Sequence, residues 1–177
     1  MKKSDKLSKK ERNFAGSNTD KNLIILYKEN KRLLEKVSKI KKENKLSNED
    51  FVKLVKENTP VPISIFRKNS PLEALVKYLK DNLNLSLSEI SRLINRDQRT
   101  IWVTYNNAKK SVKELDTKSK ITIPLNYFSE RELSILENLV DYLIDLKISL
   151  SKISELLERD YKTIYTIYTR IKKKDAR

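Results

Sequence analysis

The residues of this chain that can do chemistry come in two matching sets. The stretch Ser88-Glu89-Ile90-Ser91-Arg92-Leu93-Ile94-Asn95-Arg96-Asp97-Gln98-Arg99-Thr100-Ile101-Trp102 returns as Ser151-Lys152-Ile153-Ser154-Glu155-Leu156-Leu157-Glu158-Arg159-Asp160-Tyr161-Lys162-Thr163-Ile164-Tyr165, with about half of the aligned positions identical. Agreement of that kind marks an internal duplication. Each copy offers positive charge, hydrogen-bond donors and an aromatic ring, and chemistry that makes or breaks bonds needs other residues. The 177 residues include no Cys and no His, which removes thiolate nucleophiles, Cys/His zinc sites and the usual neutral-pH proton shuttle. The one glycine, Gly16, leaves no Gly-rich loop to close around a phosphate. The expectation is a protein with no enzymatic activity, no cofactor and no metal.

Charge points to the class of partner. Lys and Arg number 39 against 24 Asp and Glu, a net +15, and a field of that sign favours polyanions whatever their sequence. It is unevenly spread. Residues 1–58 carry 17 basic and 9 acidic side chains, residues 59–115 carry 10 and 5, and residues 116–177 carry 12 and 10, so the second copy sits in much the less basic segment. The early apolar run Leu23 to Leu26 is too short for a signal sequence or a membrane span. The sequence reads as soluble, cytoplasmic and nucleoid-associated, with no membrane partner.

The elements that must position the duplicated residues follow from spacing and punctuation. Residues 1–19 hold too little apolar surface to offset the entropy of ordering a backbone and read as a disordered basic tail. Residues 20–58 read as two amphipathic helices. Leu23, Leu26, Leu33, Val37 and Ile40 follow a three-four spacing with Asn30 and Asn44 in the same stripe, and Ser47 with Asp50 opens a second helix that Pro60 follows. The first of these helices has two readings, a coiled-coil homodimer through residues 20–44 with its asparagines setting register, or a helix packed on its own domain, which the wide face formed with Tyr27 and Leu34 suits.

Two repeat units occupy residues 59–115 and 116–177. Val61-Pro62-Ile63-Ser64-Ile65-Phe66 echoes Ile123-Pro124-Leu125-Asn126-Tyr127-Phe128, and Leu75-Val76-Lys77-Tyr78-Leu79 echoes Leu139-Val140-Asp141-Tyr142-Leu143. Each unit is therefore a short extended lead-in followed by three helices, in a mainly α protein. The prolines confine a lead-in strand to an edge or a strand start, and two such edges can pair with each other. Helix starts are expected at Ser70-Pro71 with Glu73, at Ser129 with Glu132, at Ser86 with Glu89, at Ser149 without its box, and at Asp97 and Asp160 for the third helices. Ser111 to Lys120 reads as a polar linker.

Leu87 to Ile101, continuing to Ala108-Lys109-Lys110, resembles the helix-turn-helix of bacterial sigma-factor region four and related transcription regulators. Ile90 and Ile94 match its first-helix apolar positions, Ser91 its small residue, Asp97 its polar cap and Ile101 its buried branched residue. The turn position often held by Gly is Asn95 in the first copy and Glu158 in the second, where a left-handed backbone is harder to adopt and a distorted turn is expected. Nothing resembles the promoter-melting regions of a sigma factor.

The resemblance implies that the second helix of each motif lies in a major groove of duplex DNA. With Ile101, Tyr105 and Ala108 as its inward face, Arg99, Trp102, Val103, Asn106 and Lys110 lie outward or at the margin. Arg99 then suits guanine and Asn106 adenine, while Gln98, Thr100, Lys109 and Lys110 suit phosphates. In the second copy Tyr161, Lys162, Tyr165, Thr166 and Thr169 take the same places, followed by Lys172, Lys173 and Lys174. Against this stands a plainer reading, in which basic residues on a helix face are merely solvated, Trp102 and Tyr165 are partly buried at the core margin, and Tyr161, Tyr165 and Tyr168 form a packing stripe.

The function these readings imply is double-stranded DNA binding by a transcriptional regulator with tandem helix-turn-helix units, with the transcription machinery as a further partner. The alternatives are an architectural chromosome-organising protein, an RNA-binding accessory factor and an interaction or scaffold protein built on the amphipathic N-terminal helix.

Overall fold

In the computed structural model, residues 18–112 and 114–175 are described. The expected basic tail lies outside them apart from its last two residues. The described chain is mainly helical and divides into two compact units at Val52 and Lys53.

The first unit is built on α1 (Asn18–Glu43), continuous from two residues before the expected start. It stops where Lys45 turns left-handed at φ 52° and the Leu46 amide donates to the Lys41 carbonyl at 2.9 Å, the backbone closure that ends many helices. Ser47 then caps α2 (Asn48–Glu57) as expected, its Oγ accepting from the Asp50 amide at 3.0 Å. The apolar stripe of α1 that both readings of this helix invoke lies open along its length. Leu26, Tyr27, Leu33, Leu34 and Ile40 are 45–70% exposed.

The second unit holds both repeats. Strands β1 (Pro60–Pro62) and β2 (Thr122–Pro124) pair antiparallel, with Pro60 opposite Pro124, Val61 opposite Ile123 and Pro62 opposite Thr122. Pro60 and Pro62 bound β1 and Pro124 ends β2, which suits strands of three residues, and among the described residues each strand is paired with the other alone. Each strand runs into a 3-10 turn, Ile63–Phe66 in the first repeat and Leu125–Ser129 in the second. Three helices follow: α3 (Pro71–Lys77), α4 (Leu87–Leu93) and α5 (Gln98–Ser111) in the first repeat, and α6 (Ile135–Asp145), α7 (Leu150–Leu157) and α8 (Tyr161–Asp175) in the second.

The small length differences between the repeats have visible sites. From the lead-in to the Leu-Val-x-Tyr-Leu block the second repeat gains two residues, and from that block to Ser88 or Ser151 the first repeat has one more. The extra residue of the first repeat is taken up in a π-helical turn, Tyr78–Asn82, that continues α3 and closes with the Leu83 amide on the Tyr78 carbonyl at 3.3 Å. One residue too many in a helix widens a turn in this way. The two residues gained by the second repeat lengthen the loop before α6, so that helix does not start at Ser129 with Glu132. Ser129 ends the 3-10 turn, and Ser134 caps α6 with Glu137 in a reciprocal capping box. In the first repeat Pro71 does occupy the first turn, but Ser70 makes no side-chain cap bond. Ser86 with Glu89, Ser149, Asp97 and Asp160 cap as expected.

Both repeats contribute to one core. Val61, Ile63, Ile65 and Phe66 of the first lead-in and Ile123, Leu125 and Phe128 of the second are fully buried with Leu75 and Leu79 of the first repeat and Leu139, Val140 and Leu143 of α6. The Phe66 and Phe128 rings meet at 5.6 Å between centroids. Because each lead-in closes over the other repeat's helices as well as its own, the repeats stabilise one another. Phe66→Ala is therefore expected to cost about 3–5 kcal/mol, and hydrogen exchange should show amide protection falling in α6 together with α3. Protection in α6 left unchanged would mean that the repeats fold separately.

Candidate nucleic-acid interface

Two helices carry the duplicated polar residues, α5 and α8, and each is held at both ends. At the start, Asp97 Oδ1 accepts from the Arg99 and Thr100 amides at 2.9 and 3.2 Å, and Asp160 Oδ1 from the Lys162 amide at 2.8 Å. A carboxylate here also meets the positive end of the helix dipole. At the far end, Ser111 Oγ donates to the Glu73 carboxylate, and Lys174 Nζ reaches Glu137 Oε2 at 3.2 Å and the Glu132 carbonyl at 2.6 Å. Ser111 and Lys174 occupy matching places in the repeat, as do Glu73 and Glu137. Lys174 is thus tied to its own repeat and belongs with the scaffold. Burial pushes the Glu137 carboxyl up, but bonds from Ser134 and Lys174 outweigh it and hold the group below its ordinary range.

The turns that aim α5 and α8 are alike in the two copies. Asn95 has φ 49° and Glu158 φ 50°, and the Arg96 and Arg159 amides donate to the Ser91 and Ser154 carbonyls, each at 3.0 Å. Ser91 and Ser154 Oγ complete the turn by donating to the Arg96 and Arg159 carbonyls at 2.7 and 2.6 Å. The distortion expected at Glu158 does not occur. Its carboxylate accepts from Lys68 Nζ at 2.8 Å and lies 3.9 Å from Arg67 Nε, contacts that lower its pKa and compensate the left-handed backbone.

Sequence reasoning missed the arginines that follow these turns. Arg96 Nη2 donates to the Glu130 and Leu133 carbonyls of the second repeat at 3.2 Å each, and Arg159 Nη2 donates to the Phe66 carbonyl of the first at 3.4 Å and to the Asn69 carbonyl. Burial, with Arg131 nearby, pulls the Arg96 pKa down. The signal was present, since Arg96 and Arg159 are identical between copies, but nothing in a sequence says that the partner carbonyls lie in the other repeat.

The outward faces are the expected ones, with corrections at the margin. Gln98, Arg99, Thr100, Trp102, Val103, Lys109 and Lys110 are exposed on α5 and Asn106 is half-buried; Tyr161, Lys162, Tyr165, Thr166, Lys172 and Lys173 are exposed on α8 and Thr169 is half-buried. The inward face of α5 is Ile101, Thr104 and Ala108, with Tyr105 half-buried and packed against the core at its edge. There its hydroxyl donates to Asp81 at 2.7 Å and its ring lies 5.0 Å from Lys109 Nζ, partners that a phenol deep in the core would lack. Trp102 and Tyr165, expected to be partly buried at the core margin, are 59% and 51% exposed, and the buried positions around them are Ile101 and Thr104 in the first copy and Ile164 and Ile167 in the second. The tyrosine stripe packs on itself outside the core, with ring centroids 6.4 Å apart for Tyr161 and Tyr165 and 6.5 Å apart for Tyr165 and Tyr168.

Each face also has a shallow depression. One is lined by Trp102, Val103, Asn106, Asn107, Lys109 and Lys110, and the other by residues that include Ser134, Lys162, Thr163, Thr166 and Arg170. Asn107 and Arg170 were not singled out from the sequence. They occupy matching positions one turn beyond Val103 and Thr166, so the helical period extended by one step finds both.

Among the described residues no group of three or more acidic, His or Cys side chains is placed to hold a metal, and no helix is long and apolar enough to cross a membrane. In comparisons with known proteins, no family model, no curated protein and no solved structure matches the chain.

The helix in front of α5 is anchored by one acid. Glu89 closes the Ser86 capping box on α4 and accepts from Lys56 Nζ at 2.6 Å, and the Lys56 bond, followed by those from Ser86, lowers its pKa from 4.5 to about 2. A carboxylate with a depressed native pKa stabilises the fold above its unfolded pKa and loses that contribution as pH falls through the native one. The difference in urea midpoint between the native chain and Glu89→Gln should accordingly be constant above about pH 5 and shrink between pH 4.5 and about 2. A difference independent of pH would remove the charge from this account.

Proposed function

We propose that the chain binds double-stranded DNA as a transcriptional regulator, with α4–α5 and α7–α8 as tandem helix-turn-helix units and α5 and α8 as the groove-reading helices. The observation that carries this reading is the match between the two solvent-facing surfaces. Arg99, Trp102, Val103, Asn106, Lys109 and Lys110 face outward or at the margin where Lys162, Tyr165, Thr166, Thr169, Lys172 and Lys173 do so in the other copy. Exposed positions have no packing reason to keep a cation, an aromatic ring and a C-terminal lysine pair in the same order. A shared ligand supplies one. Lysines and arginines serve phosphates, and Arg99 and Asn106 have the bidentate groups that distinguish guanine and adenine edges.

Trp102 and Tyr165 support a second reading, recognition of structured RNA, because exposed aromatic rings stack on splayed bases. Fluorescence anisotropy over a salt series separates the two. Duplex DNA should be preferred to a structured-RNA pool, and affinity should drop by about 10³-fold or more between 50 and 200 mM salt if six or more phosphates are neutralised. Arg99→Ala should relax preference at one base by about 1–3 kcal/mol with little change in the salt slope. A flat salt response would count against an electrostatic binder, and RNA preference would favour the second reading.

The exposed stripe of α1 supports a homodimer through residues 20–44, and the same stripe suits a component of the transcription machinery. Leu33→Lys with Leu34→Lys should convert the dimer to monomer in sedimentation equilibrium; a native chain already monomeric at high micromolar concentration would leave the stripe to another protein.

A further inference from the structure

We infer that the two repeats read an inverted, imperfectly palindromic pair of half-sites, although they arose as a head-to-tail duplication. The inference rests on the DNA-binding reading above and specifies the arrangement of its ligand.

Tandem copies are ordinarily stacked by translation or a screw, and residue i of one copy then meets a non-equivalent residue of the next. This chain does the opposite. In the lead-ins, residue i of the first repeat corresponds to residue i + 62 of the second, so Val61 and Ile123 are equivalent, and they lie opposite each other in the β pair. Pro60 opposite Pro124 and Pro62 opposite Thr122 are then the same contact made twice. The flanking bonds exchange in the same way. Ile63 N donates to the Ile121 carbonyl at 3.2 Å and Leu125 N to the Thr59 carbonyl at 3.0 Å, and Ile63 matches Leu125 as Thr59 matches Ile121. Phe66 packs on its own counterpart, Phe128. Farther out, Arg96 reaches the loop after the second 3-10 turn and Arg159 the loop after the first.

Contacts between equivalents, each reciprocated, define a local two-fold axis through the Val61–Ile123 pair. A two-fold places the two copies at one height along the axis and facing opposite ways across it. The start of α5 lies beside the loop of the second repeat and the start of α8 beside the loop of the first, so both reading helices begin at the interface between the repeats, in equivalent places. A protein dyad is matched by a DNA dyad, which is an inverted repeat; a direct repeat has none. The side chains at equivalent places differ, Arg99, Trp102, Val103 and Asn106 against Lys162, Tyr165, Thr166 and Thr169, and the palindrome is imperfect for that reason.

The test is selection from a random duplex library by the full-length chain and by one variant carrying Lys162→Arg, Tyr165→Trp, Thr166→Val and Thr169→Asn, all on the outer face or margin of α8. The native chain should enrich an inverted repeat of unequal halves with centres about 10 base pairs, or a multiple of that, apart. The variant should enrich a repeat with equal halves and bind it about tenfold more tightly than the native chain does, as gain of a base-specific pair allows. Direct repeats, a lone half-site, or salt-sensitive binding without enrichment, in the native chain alone, would overturn the inverted arrangement and leave DNA binding standing. Failure of the native chain to bind any duplex would overturn the DNA reading itself.

Discussion

The second unit depends on the pairing of two three-residue strands with each other. A lead-in bounded by proline has no place in a larger sheet, since proline lacks the amide that a central strand must donate. Among the described residues, the other strand with a proline restriction is the copy of itself. Once Val61 and Ile123 face each other, Phe66 must meet Phe128, and the helices of each repeat are brought under the other repeat's lead-in. The arginines that follow the two tight turns then find carbonyls of the other repeat, at Glu130 and Leu133 for Arg96 and at Phe66 and Asn69 for Arg159. Orientation of α5 and α8 is tied to that pairing, because each is fixed at its start by an arginine that reaches into the other repeat.

Much of this was legible because local signals sufficed. Asp97, Asp160, Ser47 and the Ser86–Glu89 box are set by a few neighbouring atoms, and they cap as their types and spacing imply. The start of α6 was misread because Ser129-x-x-Glu132 and Ser134-x-x-Glu137 both satisfy the same rule. The offset between Leu75 and Leu139, larger than that of the lead-ins, holds the answer, since it carries Ser70 onto Ser134 and Glu73 onto Glu137. Periodicity placed the outward face of α5 correctly and misjudged its margin. At a boundary position the decision between Thr104 and Tyr105 turns on whether a hydroxyl partner lies outside the core, and Asp81 supplies one from a π-helical turn that no period predicts. Glu158 was judged by the intrinsic cost of a left-handed backbone alone, whereas Lys68 and Arg67, far away in sequence, change the balance.

Division of labour within the repeated motif follows from the same structure. Identical residues at Ser91 and Ser154, Arg96 and Arg159, and Asp97 and Asp160 build turns and caps, and they are consumed by contacts inside the protein. Residues that differ in identity but keep their chemistry, such as Arg99 with Lys162 and Trp102 with Tyr165, lie on the surface. The scaffold therefore sets where the two faces are, and in the proposed DNA-binding reading the variable side chains set what each face prefers. The net charge of +15 supplies attraction for a polyanion irrespective of that preference.

A hydroxyl-radical footprint of the intact chain on a duplex that it selects tests the central claim most directly. Two dyad-related halves reading one duplex predict two clusters of protected sugars on one face of the DNA, with centres about one helical turn apart and placed symmetrically about a point between them. A single protected cluster, or uniform protection without a centre of symmetry, would contradict it.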